Sequence, residues 1–166
     1  MNDFPLHSDT LQRHGDGHEG QLERHFPHPI EALWAMLTEP AALAQWLAPG
    51  QIEPRVGGAV KIDFADSGSV IDSRVIAYEP PQLLAYDWNH GNEPARPLRW
   101  ELASTGQGTC LRLILGIPAG EDAAKACAGF AAHLEMLAAA LEGVPIRFPF
   151  DLYLAARKAY GALLQS

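Results

Sequence analysis

Four stretches between Ala59 and Gly116 alternate apolar with polar side chains, and few folds accept that pattern. Val60, Ile62 and Phe64 alternate with Lys61 and Asp63. Leu84, Tyr86 and Trp88 alternate with Ala85 and Asp87, and Leu98, Trp100 and Leu102 with Arg99 and Glu101. Leu111, Leu113 and Leu115 alternate with Arg112 and Ile114. A period of two sends the first set to one face of a pleated strand and the second to the other. Repeated along the chain, it specifies an antiparallel meander with one buried and one mostly wet face. Turn signals separate the runs: Asp66-Ser67-Gly68, Glu79-Pro80-Pro81, the polar stretch 89–97, and Thr105-Gly106-Gln107-Gly108. Val70 to Tyr78 supplies a further strand. Residues 9–13 and 19–26 read as two more, joined by Gly15-Asp16-Gly17.

A one-sided sheet needs a cover, and the chain provides one. From Glu121 to Glu142 a helix of roughly 33 Å is expected at about 1.5 Å per residue. Ala123, Cys127, Phe130, Leu134, Leu137 and Leu141 form one continuous stripe along it, and Gly143 stops it. Laying that stripe across the sheet buries both apolar faces. The segment Leu22–Trp46 adds two short helices. Pro29 suits a first helical position, Glu31 sits where the helix dipole favours an anion, and Ile30, Leu33, Trp34 and Leu37 share a face. Glu39-Pro40 breaks that helix and a second closes on Trp46, with Leu43 and Leu47 beside it. Twisted antiparallel sheets of this size curl, so two small helices here would plug an open end and leave a lined space. The fold class is therefore α+β: a curved antiparallel sheet of six or seven strands wrapped around a long C-terminal helix. Two short helices follow the first strand, and an extra short helix ends the chain, with Leu152, Ala155, Ala159 and Leu163 on one face.

At 166 residues the chain reads as one domain: a flexible N-terminus over 1–8, the domain over 9–142, and a helical extension over 143–166 packed on it. A net charge of -8 disfavours a phosphate-binding nucleic-acid surface and docking on anionic membranes. Met1 to Gly20 has no apolar stretch of signal-peptide length, and no apolar run is long enough to span a bilayer. Cys110 and Cys127 fall on faces that should not meet, so two free thiols and a cytoplasmic location are expected.

The ordered motifs resemble a known family. They are Leu22-Glu23-Arg24, Pro27-His28-Pro29, Leu33-Trp34, Leu37-Thr38-Glu39-Pro40, Leu43, Trp46, Val56-Gly57-Gly58, Glu79-Pro80-Pro81, Leu83 to Trp88, Trp100-Glu101-Leu102, Thr109 to Leu113, and the helix from Gly129 to Leu141. Together they are similar to the START-like, or SRPBCC, superfamily, in its AHSA-type branch of activators of the ninety-kilodalton heat-shock chaperone ATPase. The resemblance runs from about Asp9 to Leu141. It implies a helix-grip fold with a deep cavity. Relatives bind lipids, hormones or polyketides, some catalyse cyclisation, and some assist the chaperone in stress responses.

The residue types suggest what such a cavity would contain. Trp46, Phe64, Tyr86, Trp88, Trp100, Phe130 and Leu137 are all assigned to inward faces, where they can line an apolar pocket or simply pack a core. His133 lies about 60° from Phe130 on the helical wheel, at the stripe's edge. There it can hydrogen-bond a ligand carbonyl, act as a general base, or serve as a structural boundary histidine. Asp63, Asp72, Asp87 and Glu101 sit on the wet face opposite Lys61, Arg74, Arg99 and Arg112, so no catalytic carboxylate stands out. His7, His14, His18, His25 and His28 are numerous, but Gly15 and Gly17 argue against a helix that would converge His14 and His18. No metal and no cofactor are expected. The leading expectation is a container for a small hydrophobic or aromatic ligand, in a monomer or homodimer. The alternatives are a chaperone regulator, and a cyclase- or dehydratase-type enzyme with His133 as acid/base.

Overall fold

The computed structural model describes residues 4–6, 8–64, 69–89 and 94–164. The N-terminal hairpin comprises β1 (Thr10–His14) and β2 (Gly17–Phe26). Two short helices follow, α1 (Ile30–Thr38) and α2 (Pro40–Trp46). The sheet then continues through β3 (Gly50–Ile52), β4 (Ala59–Phe64), β5 (Ser69–Glu79), β6 (Leu83–Asp87), β7 (Pro97–Thr105) and β8 (Gly108–Ile117). The chain ends with α3 (Ala123–Leu141) and α4 (Phe150–Leu163). The turn expected at Asp66-Ser67-Gly68 lies outside the described residues, as do positions 90–93 of the polar loop and positions 1–3 and 7 of the N-terminus.

The sheet order is β1-β2-β8-β7-β6-β5-β4-β3, antiparallel throughout. This is the α+β helix-grip arrangement, with two corrections. The sheet has eight strands rather than six or seven, because β3 pairs with β4 through only three residues, too few to show alternation. Its Gly50 lies so close to the Lys61 carbonyl that a Cβ would collide with it. In addition, the two short helices follow the second strand rather than the first, since β1 precedes β2 as the edge strand of a hairpin.

Alternation places the apolar faces as the sequence requires. Val60, Ile62, Leu84, Tyr86, Leu98, Trp100, Leu102, Leu111, Leu113 and Leu115 are all buried. On the outer face, Lys61 pairs with its register partner Asp72 at 2.6 Å, Arg99 with Glu101 at 2.6 Å, and Arg112 with Glu23 at 3.3 Å. Exposed pairs of this kind add little stability.

The Asp122 carboxylate accepts from the Lys125 N–H at 3.0 Å and starts α3. Gly143, at φ 78°, ends it in the left-handed region. Buried residues of α3 extend past the expected stripe to Ala124, Ala128, Ala131, Ala132 and Ala140, because α4 packs on α3 and on β1. By length and composition α3 is apolar enough to cross a membrane, but here it is the central helix of the core. The buried face of α4 is Ala156 and Tyr160, whereas Leu152, Ala155, Ala159 and Leu163 are half-buried. A polar anchor sets that rotation. The Tyr160 hydroxyl donates to the Asp9 carboxylate at 2.7 Å, and Asp9 also accepts from Arg24 at 2.8 and 2.9 Å and from the Glu23 N–H at 2.9 Å.

The plug forms as its sequence suggests. Leu33 and Leu37 of α1 and Leu43 and Trp46 of α2 are buried. The Trp46 indole N–H donates to the Met36 carbonyl at 2.8 Å, tying the two helices together. α1 lies against β7 and β8, and α2 against α3 and β3.

Candidate functional site

The backbone of α3 comes close to β1, β2 and β8. Toward the other half of the sheet an open cavity of about 620 Å³ remains. Phe64 of β4, Ile71 of β5 and Trp88 just after β6 wall one side, and Ala126, Gly129, Phe130 and His133 of α3 wall the other. Arg96, Glu121, Asp122 and Lys125 supply the polar part of the lining. A cavity of this size falls within the range of small-molecule sites.

The aromatic rings touch in sequence. Phe64 meets Trp88 at 5.7 Å and Trp88 meets Phe130 at 5.2 Å, both near edge-to-face. His133 meets Phe64 at 5.9 Å and, on another side, Phe148 at 5.5 Å. Of the residues singled out from the sequence, Phe64, Trp88, Phe130 and His133 therefore come together on the cavity. Trp46, Tyr86, Trp100 and Leu137 are fully buried behind it. Trp100 links the two groups, 6.3 Å from Phe130 and 5.8 Å from Trp46. Burial pushes the Tyr86 phenol well above its ordinary value. The Trp100 N–H is buried without a partner of hydrogen-bond geometry among the described residues, although it interacts electrostatically with the Tyr86 hydroxyl.

His133 has a defined orientation. Its Nδ1 lies 2.9 Å from the Trp46 carbonyl oxygen. A carbonyl only accepts, so Nδ1 carries the proton. Burial holds the imidazole below the ordinary value of 6.5, and the bond to Trp46 offsets part of that effect. The side chain is thus a neutral imidazole of fixed tautomer.

The polar lining is largely self-neutralising. Arg96 grips Glu121 through two parallel bonds of 2.9 and 2.6 Å, which ties the start of β7 to the approach of α3. Asp122 accepts from Arg157 at 2.6 Å. Its carboxyl is held below the usual range first by the Lys125 N–H and then by Arg157.

Sequence reading overlooked Gly129. A Cβ added there meets nothing within 4 Å, so no packing demand explains a glycine in mid-helix, where it costs up to ~1 kcal/mol against alanine. Its missing side chain leaves the cavity its width. An isolated glycine inside a helical stripe was the available signal. Arg96, Glu121 and Lys125 carried no comparable signal, since neither a part-buried ion pair nor a single exposed lysine has a periodicity.

Metal-type ligands converge elsewhere. Glu23, His25 and Cys110 bring one ligand atom each within 4.8 Å of one another on the outer face of β2 and β8. Arg112 competes for Glu23 at 3.3 Å, and partial burial with the Glu23 charge raises the Cys110 thiol. Cys110 and Cys127 are both free.

A family model described as "Activator of Hsp90 ATPase homolog 1-like protein" matches residues 27–142. No curated protein matches the sequence at a significant level. Several solved structures share the fold. CalU16 from Micromonospora echinospora superposes with a TM-score of 0.78 at 18% identity, covering 96% of this chain and 97% of that one. The protein encoded by gene BPP1335 from Bordetella parapertussis gives 0.68 at 28% identity over 97% and 94%. DynU16, from the dynemicin biosynthetic locus, gives 0.69 at 28% identity over 75% of this chain and 48% of that one.

Proposed function

This chain belongs to the activator of Hsp90 ATPase homolog 1-like family, and we propose that it holds a small, largely apolar aromatic molecule in the cavity beside α3, as a container rather than a catalyst. The observation that carries this reading is the cavity itself, about 620 Å³, walled by Phe64, Trp88 and Phe130. Gly129 supports it: the helix accepts a propensity cost at a turn where a side chain would project into open space. The location of DynU16 in a biosynthetic locus is a further support for small-molecule binding. His133 is oriented by a carbonyl and not by a carboxylate, which suits a binding group better than an activated base.

Filling the cavity tests the reading. Gly129→Leu adds bulk where nothing stands within 4 Å of the Cβ position. Titrating the ¹⁵N-labelled protein with 2-methylnaphthalene should shift the amides of residues 126–133 and the Trp88 indole. The Gly129→Leu variant should keep its dispersed spectrum and lose those shifts. Absence of shifts in the parent protein with both this hydrocarbon and its hydroxylated analogue 2-naphthol, or shifts that survive the substitution, would overturn the container.

The match over residues 27–142 favours a second reading, a regulator of a heat-shock chaperone ATPase. It predicts a changed ATPase rate when the protein is added at saturation. An unchanged rate removes it without touching the cavity.

A further inference from the structure

We propose that the cavity selects a neutral hydroxylated aromatic, a phenol-type ligand whose O–H donates to Nε2 of His133. The inference rests on the container reading above and names the ligand class. The argument starts at the other ring nitrogen. Nδ1 donates to the Trp46 carbonyl at 2.9 Å, and Trp46 is buried in the plug with its own indole N–H committed to Met36. The imidazole is therefore held from behind by an element that does not line the cavity. The polar atom His133 can still offer is Nε2, which has no hydrogen-bond partner among the described residues.

A neutral imidazole has one donor and one acceptor. With the donor spent, Nε2 accepts. Burial favours this neutral form. The group it complements is therefore an O–H or N–H, and a carbonyl ligand would place two lone pairs against each other. Two further observations narrow the class. The rings of Phe64, Trp88 and Phe130 stand edge-to-face around the same space, which favours a flat aromatic body. Among the charged residues of the lining, Arg96 is committed to Glu121 and Asp122 to Arg157, and the remaining cation, Lys125, is exposed to solvent, where its pull on an anion is weak. An ionised phenolate would also have no proton to give.

The test compares 2-naphthol with 2-methylnaphthalene, which have nearly the same shape. Apolar burial alone favours the methyl compound. The hydrogen bond works the other way: the affinity of 2-naphthol relative to 2-methylnaphthalene should be about fivefold higher in the parent protein than in a variant without the Nε2 acceptor, the factor expected of one net hydrogen bond. The His133 Nε2 ¹⁵N resonance should move with 2-naphthol and stay in place with 2-methylnaphthalene. His133→Asn can keep a donor near the Nδ1 position for Trp46 while deleting the Nε2 acceptor, and there that relative gain of 2-naphthol should vanish. Should that variant misfold, the Nε2 resonance of the parent protein decides alone. An Nε2 resonance that does not move with 2-naphthol, or an affinity ratio of the two probes that is unchanged in His133→Asn, overturns the inference and leaves the container intact. If neither probe binds, the container reading falls and this inference falls with it.

Discussion

Burial holds the His133 imidazole below 6.5, so its proton balance differs between folded and unfolded chains. Below about 6.5 the unfolded chain takes up a proton that the folded one refuses. Stability from this group is full above that pH and is lost as pH falls toward the folded value. Arg96, Glu121, Asp122 and Lys125 line the same cavity and Arg157 pairs with Asp122, but burial, opposed only in part by the bond to Trp46, sets the direction at His133. Urea denaturation at pH 7.5 and 5.5 should show a loss in the parent protein that is smaller in His133→Asn. An equal loss in both would remove His133 as its source. The Asp9–Arg24–Tyr160 cluster makes a second residue-scale case. Asp9 has a fully buried side chain, and Tyr160→Phe withdraws one of its donors while keeping the ring against Phe4. A loss of about 1.5–3 kcal/mol is expected, the size of a hydrogen bond to a charged group. Chemical denaturation measures it, and a loss near zero would mean the carboxylate is satisfied without Tyr160. His133 was marked in the sequence by its place at the edge of the apolar stripe, whereas the cluster had no local signal. Asp9 and Tyr160 are 151 positions apart, and no periodicity links them.

Elements were legible where their pattern was long. Four alternating runs became β4, β6, β7 and β8, and the stripe of α3 faces inward as its spacing requires. Patterns failed where the element was short or covered on two sides. β3 has three residues, and its pairing depends on Gly50 fitting against Lys61 rather than on hydrophobicity. α4 is rotated so that Ala156 and Tyr160 are its buried residues while the expected stripe, Leu152, Ala155, Ala159 and Leu163, is half-buried beside them, because the Tyr160 hydroxyl is anchored to the buried Asp9 carboxylate. Gly129 belongs to this scale as well. It lies mid-helix with space at its Cβ, so Gly129→Ala should stabilise the protein by about 1 kcal/mol through helix propensity. A rise in thermal midpoint checks this, and a fall would mean that the backbone there needs glycine.

At the scale of the molecule, α3 is covered by the sheet and plug on one side and by α4 on the other. We expect that ending the chain after Gly143 would expose Ala124, Ala128, Ala131 and Ala132 and open the Asp9 pocket. Such a truncation should lower the thermal midpoint and increase binding of a dye that reports exposed apolar surface. An unchanged midpoint would make α4 an accessory. The cavity is also a property of the whole molecule. It exists because α3 approaches β1, β2 and β8 closely while Phe64, Trp88 and Phe130 hold it off the opposite half.

The sequence by itself determined the fold class, the family and the inward faces of the sheet and of α3, because period-two and helical repeats are local and each long strand or helix carries its own. Tertiary structure alone decided which inward residues meet empty space. Phe64, Trp88, Phe130 and His133 line the cavity, while Trp46, Tyr86, Trp100 and Leu137 share the same inward assignment and are packed solid. Periodicity says only that a side chain leaves water. Whether it then meets a neighbour or a void depends on how closely α3 approaches each strand, and no local pattern encodes that distance.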